Sequence, residues 1–205
     1  MLAWIENHFN TLRHLQLNTI TTDQQGKLVT LDEGFKRYIQ AVRGIRNIQG
    51  KLMFIGNGGS AGIASHLAID YSKNGKMHAQ TFTDVSAITC LSNDYGYEHV
   101  FAKQIEYHAR KEDVLIAISS SGKSINILNA VSAARKVGCH VITFSGFESG
   151  NPLSQVGDLN FYVASKEYGF VEVAHVALIH AMLDYILEEE HKSVQQRILA
   201  TEVME

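Results

Sequence analysis

Apolar positions in residues 1–50 recur every three or four, at Ile5, Phe9, Leu12 and Leu15 and again at Phe35, Ile39, Val42 and Ile45. That spacing predicts two helices, joined by a polar loop over residues 21–26. Both precede any strand, so they are expected to pack across the domain or against a partner. The pattern then changes. Leu52-Met53-Phe54-Ile55 is a continuous apolar run that ends in Gly56-Asn57-Gly58-Gly59-Ser60, and helical spacing returns at Ile63, Leu67 and Tyr71. Strand, glycine-rich turn and helix follow one another. The same succession predicts strands over residues 80–82, 114–118, 140–144 and 160–163. The 114–118 run ends in Ser119-Ser120-Ser121-Gly122-Lys123-Ser124, ahead of a helix through Leu128, Val131 and Ala134. A last helix is expected over residues 171–190, with a polar tail after it.

Apolar runs alternating with helices predict an α/β fold, a mainly parallel sheet covered by helices on both faces. Right-handed crossovers place the strand-to-helix turns at one end, where ligands of such sheets sit. The 205 residues fit one domain, 1–205, with 1–50 as an N-terminal helical segment. No tandem repeat or low-complexity linker interrupts it, and the single proline, Pro152, falls in a loop.

Composition narrows the function classes. The net charge is -3 with no dense Lys/Arg run, which argues against nucleic acid as a partner. A small phosphate stays open, because backbone N–H groups bind it without net positive charge. No window approaches the roughly 18 apolar residues of a membrane span, and the start MLAWIENHFN has no signal-peptide pattern. Cys90 and Cys139 lie in apolar stretches and form no CxxC pair, so both are expected as buried free thiols. A reducing cytoplasm fits these features. Charged residues are 19%, a little low for a small monomer, consistent with surface covered by sister subunits.

Four features carry candidate chemistry. The 119–124 turn offers small residues, hydroxyls and a helix N-terminus, a set suited to phosphate oxygens, although a capping serine alone gives the same pattern. The 56–60 turn lacks the acidic residue of a dinucleotide site and the Gly-Lys-Ser/Thr of a P-loop, leaving a small-ligand cradle. His66 and Asp70 stand four apart on one helix face, and Glu172 and His180 stand eight apart on another. Two histidines and two carboxylates serve as a metal site, as an acid–base pair, or in unrelated structural roles.

Five blocks together give the chain a family likeness: GNGGS at 56–60, His66, SNDYG at 92–96, DVLIAISSSGKS at 113–124, and the last helix through His180. Over about Lys51 to Tyr185 the chain resembles the SIS (sugar isomerase) domain family and, within it, the phosphoheptose isomerases, or sedoheptulose-7-phosphate isomerases. The resemblance implies a three-layer sandwich around a five-stranded parallel sheet, and a homotetramer with active sites between subunits. It implies that a ketose phosphate becomes its aldose through an enediol, in the synthesis of lipopolysaccharide or capsule precursors. Asn57, Gly58, Gly59, Ser60, Asn93, Asp94, Ser119, Ser120, Ser121, Ser124 and Glu172 are then expected to hold the sugar phosphate. His180 is expected to transfer the proton with Asp70 as its partner, and His66, Asp70, Glu172 and His180 to bind zinc.

The chain departs from that family at four places. Asp70 stands for glutamate, Glu172 for glutamine and Lys123 for asparagine, and the 72–76 loop is short. These departures keep an isomerase of another phosphosugar, or a non-catalytic sensing or scaffold role, beside the leading expectation.

Overall fold

A computed structural model describes residues 1–202. In chain order the elements are α1 (Leu2–Leu17), β1 (Ile20–Asp23), β2 (Leu28–Val29), α2 (Leu31–Asn47), β3 (Leu52–Ile55), α3 (Gly59–Lys73), β4 (Ala79–Thr81) and α4 (Val85–Tyr95). A 3-10 turn (Tyr97–His99) leads to α5 (Val100–His108), β5 (Val114–Ser119), α6 (Ile125–Val137) and β6 (His140–Ser145). A second 3-10 turn (Pro152–Gln155), β7 (Leu159–Tyr162) and α7 (Tyr168–Glu202) complete the described chain.

The sheet is mixed and seven-stranded, in the order β2-β1-β7-β6-β5-β3-β4, which corrects the expectation of five strands. β4, β3, β5, β6 and β7 pair in parallel, and β1 adds antiparallel to β7 with β2 outside it. The extra hairpin occupies the stretch expected to be a loop. Ile20, Thr21 and Thr22 are β-branched and suit a strand, and Thr21 is buried. The turn closes on Asp23, whose carboxylate accepts the N–H groups of Gln25 (3.0 Å) and Lys27 (2.9 Å).

Strand alternation divides the core into two layers. Leu52, Phe54, Val114, Ile116, Ile118, Ile142 and Phe144 face one layer with α2, α3 and α7. Met53, Ile55, Leu115, Ala117 and Val141 face the other with α4, α5 and α6. This is a three-layer α/β sandwich.

The two N-terminal helices behave differently. α2 buries Tyr38, Val42 and Ile45 against the sheet, so it covers the sheet that follows it in sequence. Its start is fixed by Thr30, whose hydroxyl accepts Glu33 N–H at 3.1 Å. α1 buries no residue and leaves Trp4 and Phe9 exposed.

α7 continues through the expected polar tail to Glu202. Its Tyr168–Gln196 stretch is long and apolar enough to cross a membrane by length and composition, contrary to the sequence expectation. Half of its apolar window is buried inside the fold, where Leu178, Ile179, Met182 and Ile186 join the core.

Candidate active site

The turns after β3 and β5 converge at the carboxyl ends of the parallel strands. They enclose a pocket of about 250 Å³ lined by Asn57, Gly58, Gly59, Ser60, Ser119, Ser120, Ser121, Ser124, Tyr168 and Glu172. Two helices begin here, α3 at Gly58 and α6 at Ser124, and neither N-cap residue accepts a side-chain hydrogen bond from its own helix. The first N–H groups of both helices therefore lack the usual side-chain cap. Ser119 Oγ donates to Ser124 Oγ at 3.3 Å, while Ser120 Oγ is buried without a partner. A buried hydroxyl without a partner is costly unless something fills its place. No Lys or Arg lines the pocket, and Lys123 is exposed outside that lining.

The serine turn is braced from behind. Gly122 has φ +62°, a conformation that L side chains seldom adopt, and the Asn151 side chain occupies the space a Cβ would need. Asn151 Nδ2 lies 3.1 Å from Ser145 Oγ, from Gly146 O and from Glu148 O. Gly146 N–H in turn donates to Ser120 O at 3.0 Å. His175 of α7 meets the same strand end, with Nε2 donating to Ser145 O at 3.1 Å. Burial holds its imidazole neutral and pushes its pKa down to about 4.

The glycine turn is tied to the serine turn through a paired amide. Asn57 Nδ2 donates to Asn126 Oδ1 at 2.8 Å, and Asn126 Nδ2 returns the bond to Asn57 Oδ1 at 3.0 Å. Tyr97 Oη donates to the same Oδ1 at 3.0 Å. Asn57, read from sequence as a substrate contact, thus commits its carbonyl to holding two loops together. The Glu172 carboxylate sits where a Cβ on Gly59 would stand, so the two residues are in close contact.

Two turns along the same pair of helices lies a second group. His66 Nε2 is 3.0 Å from His180 Nε2, and Asp70 Oδ2 is 3.3 Å from the first and 3.5 Å from the second. Donors about 2.0–2.1 Å from a tetrahedral zinc ion lie about 3.3 Å from one another. The three separations match that edge, and two imidazoles with a carboxylate are a donor set that ion accepts, so the residues fit a metal. Glu172 is not in this cluster. Eight helical residues rise about 12 Å, so sharing a face with His180 places Glu172 in the serine pocket rather than at the triad.

The other site expectations divide. Asn93 and Asp94 are exposed at the end of α4 and do not line the pocket. Asn93 donates to Asp94 at 2.9 Å, and Cys90 Sγ lies 3.7 Å from Asp94. Cys90 is exposed, against expectation, because its side of α4 faces away from the core; Cys139 is buried as expected. Asn126, Tyr97, Tyr168 and Asn151 were not singled out from sequence. Asn126 and Tyr97 lie within two residues of the quoted blocks, which was the available signal.

Residues 25–146 match the SIS domain. The chain belongs to the SIS domain family. Within this family the chain is 34% identical to the phosphoheptose isomerase of Helicobacter hepaticus, over 92% of this chain and 94% of that one. It is 36% identical to the Helicobacter pylori (strain P12) phosphoheptose isomerase, over 78% of this chain and 85% of that one. The solved phosphoheptose isomerase GmhA of Neisseria gonorrhoeae superposes with a TM-score of 0.77 at 31% identity, covering 90% of this chain and 97% of that one. The SIS match spans the glycine and serine turns and ends at Gly146, so α7 with Glu172 and His180 is joined to the family by the longer alignments.

Proposed function

We propose that this chain is a phosphosugar isomerase that interconverts sedoheptulose 7-phosphate and D-glycero-D-manno-heptose 7-phosphate through an enediol. The observation that carries this reading is the pocket between two helix N-termini without side-chain caps, with the His66–Asp70–His180 triad two turns below it. Aligned helix dipoles and free N–H groups bind an anion without a basic side chain. The hydroxyls of Ser119, Ser120, Ser121 and Ser124 and the backbone at Gly58, Gly59 and Ser60 are the groups that would receive phosphate oxygens. Anchoring the phosphate away from the reacting carbons supplies orientation.

At the other end, a proton must move between C1 and C2 while the oxygens exchange theirs. His180 Nε2 is the base in this reading, and Asp70 handles the oxygen proton. His66 orients the pair through its contacts with both. A zinc ion held by His66, Asp70 and His180 would polarise the carbonyl and stabilise the enediolate oxygen. The nitrogen that would bind the ion is the nitrogen that would take the proton, so the two roles of His180 Nε2 exclude each other at any instant.

We also infer that the chain acts as a homotetramer. The exposed apolar residues of α1 support it, as does a groove of about 860 Å³ lined by Leu17, Leu31, Phe35, Ile39 and Tyr185. In that assembly Asn93 and Asp94 belong to the part of the site completed between subunits.

The test is conversion of sedoheptulose 7-phosphate by purified protein, metal-stripped and zinc-supplemented, with product read by NMR. Turnover lost in His180→Ala at unchanged melting temperature is the expected result. Full activity in His180→Ala would remove the assignment of the base. Activity only without metal identifies His180 as a free base, and activity only with zinc identifies the triad as a metal centre.

A further inference from the structure

We propose that Tyr71 is a positioning residue that sets the register of α3 against α7, and with it the spacing of the triad. Tyr71 directly follows Asp70, and Ile179 directly precedes His180. Tyr71 is fully buried, and its hydroxyl lies 3.1 Å from Ile179 O and 2.8 Å from the hydroxyl of Tyr38, which is equally buried on α2. A carbonyl only accepts, so the single Tyr71 proton goes to Ile179 O, and Tyr38 donates to Tyr71. The relay runs from α2 through α3 to α7.

The remaining contacts between α3 and α7 explain why one bond matters. Leu67 and Ala68 of α3 and Ala174, Leu178 and Leu183 of α7 belong to one buried apolar cluster. Such contacts are non-directional and tolerate small sliding of one helix along the other. Among the described residues, Tyr71 to Ile179 is the only hydrogen bond between these helices outside the triad. Sliding by a fraction of an ångström would change the separations of 3.0, 3.3 and 3.5 Å on which metal binding depends.

The inference rests on reading the triad as a metal-binding group, so the experiment measures metal directly. Cobalt(II) is titrated into the full-length metal-free protein and followed by its visible absorption. Tyr71→Phe removes the bond to Ile179 and keeps the ring, and its expected effect is an affinity about tenfold lower, the scale seen for groups that orient metal ligands. Tyr38→Phe leaves the Tyr71 proton on Ile179, so its affinity should stay near wild type. Val131→Ala, in the core on the opposite face of the sheet, should lower the melting temperature without changing affinity.

Equal affinity in Tyr71→Phe and wild type overturns the inference. So does an equal loss in Tyr38→Phe, which would point to general loosening of the core. If wild type binds no cobalt, or His66→Ala and His180→Ala bind as wild type does, the metal reading fails and takes the inference with it. In that event a sugar isomerase acting by His180 alone still stands, so the two failures are distinguishable.

Discussion

Replacing Asn151 with alanine tests whether the serine turn depends on the support behind it. Asn151 is 2% exposed, and its two amide protons serve three oxygens, Ser145 Oγ, Gly146 O and Glu148 O. Its Oδ1 accepts Ser154 N–H at 3.0 Å and so caps the 3-10 turn of residues 152–155. Loss of such a cap costs about 1 kcal/mol, and each buried hydrogen bond about 1 kcal/mol more. Alanine at 151 is therefore expected to destabilise the protein by about 3 kcal/mol, which for a chain of this size lowers the melting temperature by roughly 6–12 °C.

A second effect separates support from mere stability. With the side chain gone, Gly122 loses the atoms packed against its Cα, and the serine turn relaxes. KM for the sugar phosphate should rise severalfold at a temperature where the variant is still folded, while the triad leaves kcat less affected. Scanning calorimetry gives the first number and steady-state kinetics the second. A melting shift under about 2 °C would refute the energetic reasoning, and an unchanged KM in a clearly destabilised variant would refute the claim that Asn151 holds the turn.

Three further outcomes follow from the site and its surroundings. Glu172→Gln removes a carboxylate from the pocket proposed for phosphate; relief of about 1–2 kcal/mol of repulsion should lower KM roughly tenfold, and an unchanged or higher KM would argue against phosphate at that place. His175 has a folded pKa of about 4 against the ordinary 6.5, so the unfolded chain takes up a proton that the folded one refuses. Stability should fall as pH drops from 6.5 to 4 by up to about 3 kcal/mol, and His175→Met should flatten that part of the profile of melting temperature against pH. Burial pushes the Cys139 thiol up to about 11 whereas Cys90 is exposed, so Ellman's reagent should label Cys90 alone in the native protein and both thiols in denaturant.

The central parallel strands β3, β5 and β6 were legible because each is a short, mostly apolar run, buried along nearly its whole length and ending in glycine or serine. The hairpin of β1 and β2 was not. Its strands are short and the stretch that joins them is polar, and what makes them strands is the open edge of β7, which lies about 140 residues away in sequence. The role of α2 was hidden for the same reason, since the sheet it covers comes later in the chain. Periodicity placed His66, Asp70 and His180 on helix faces that do meet. It did not tell which of the two roles expected of Glu172 its position serves, because a shared face says nothing of the rise separating two residues along it; Glu172 lines the pocket and stands outside the triad. It also left Cys90 in an apolar stretch with no means of telling which side of α4 faces solvent. Asn57 shows another limit: a polar residue in a binding turn is also the natural brace for that turn, and only the partner Asn126 reveals which role its carbonyl serves.

The parallel course of α3 and α7 gives the proposed site a ruler. Gly59 meets Glu172 at the pocket, and His66 meets His180 at the triad. The two ends of the site are thus separated by about 10–12 Å of helical rise on both sides. In the proposed reading, the span from a bound phosphate to the carbons that react is set by whole turns of helix together with the serine turn that receives the phosphate. Chain length is then the property of a substrate that this scaffold measures most rigidly, and adapting it to a shorter sugar would require moving a residue by a turn on both helices at once.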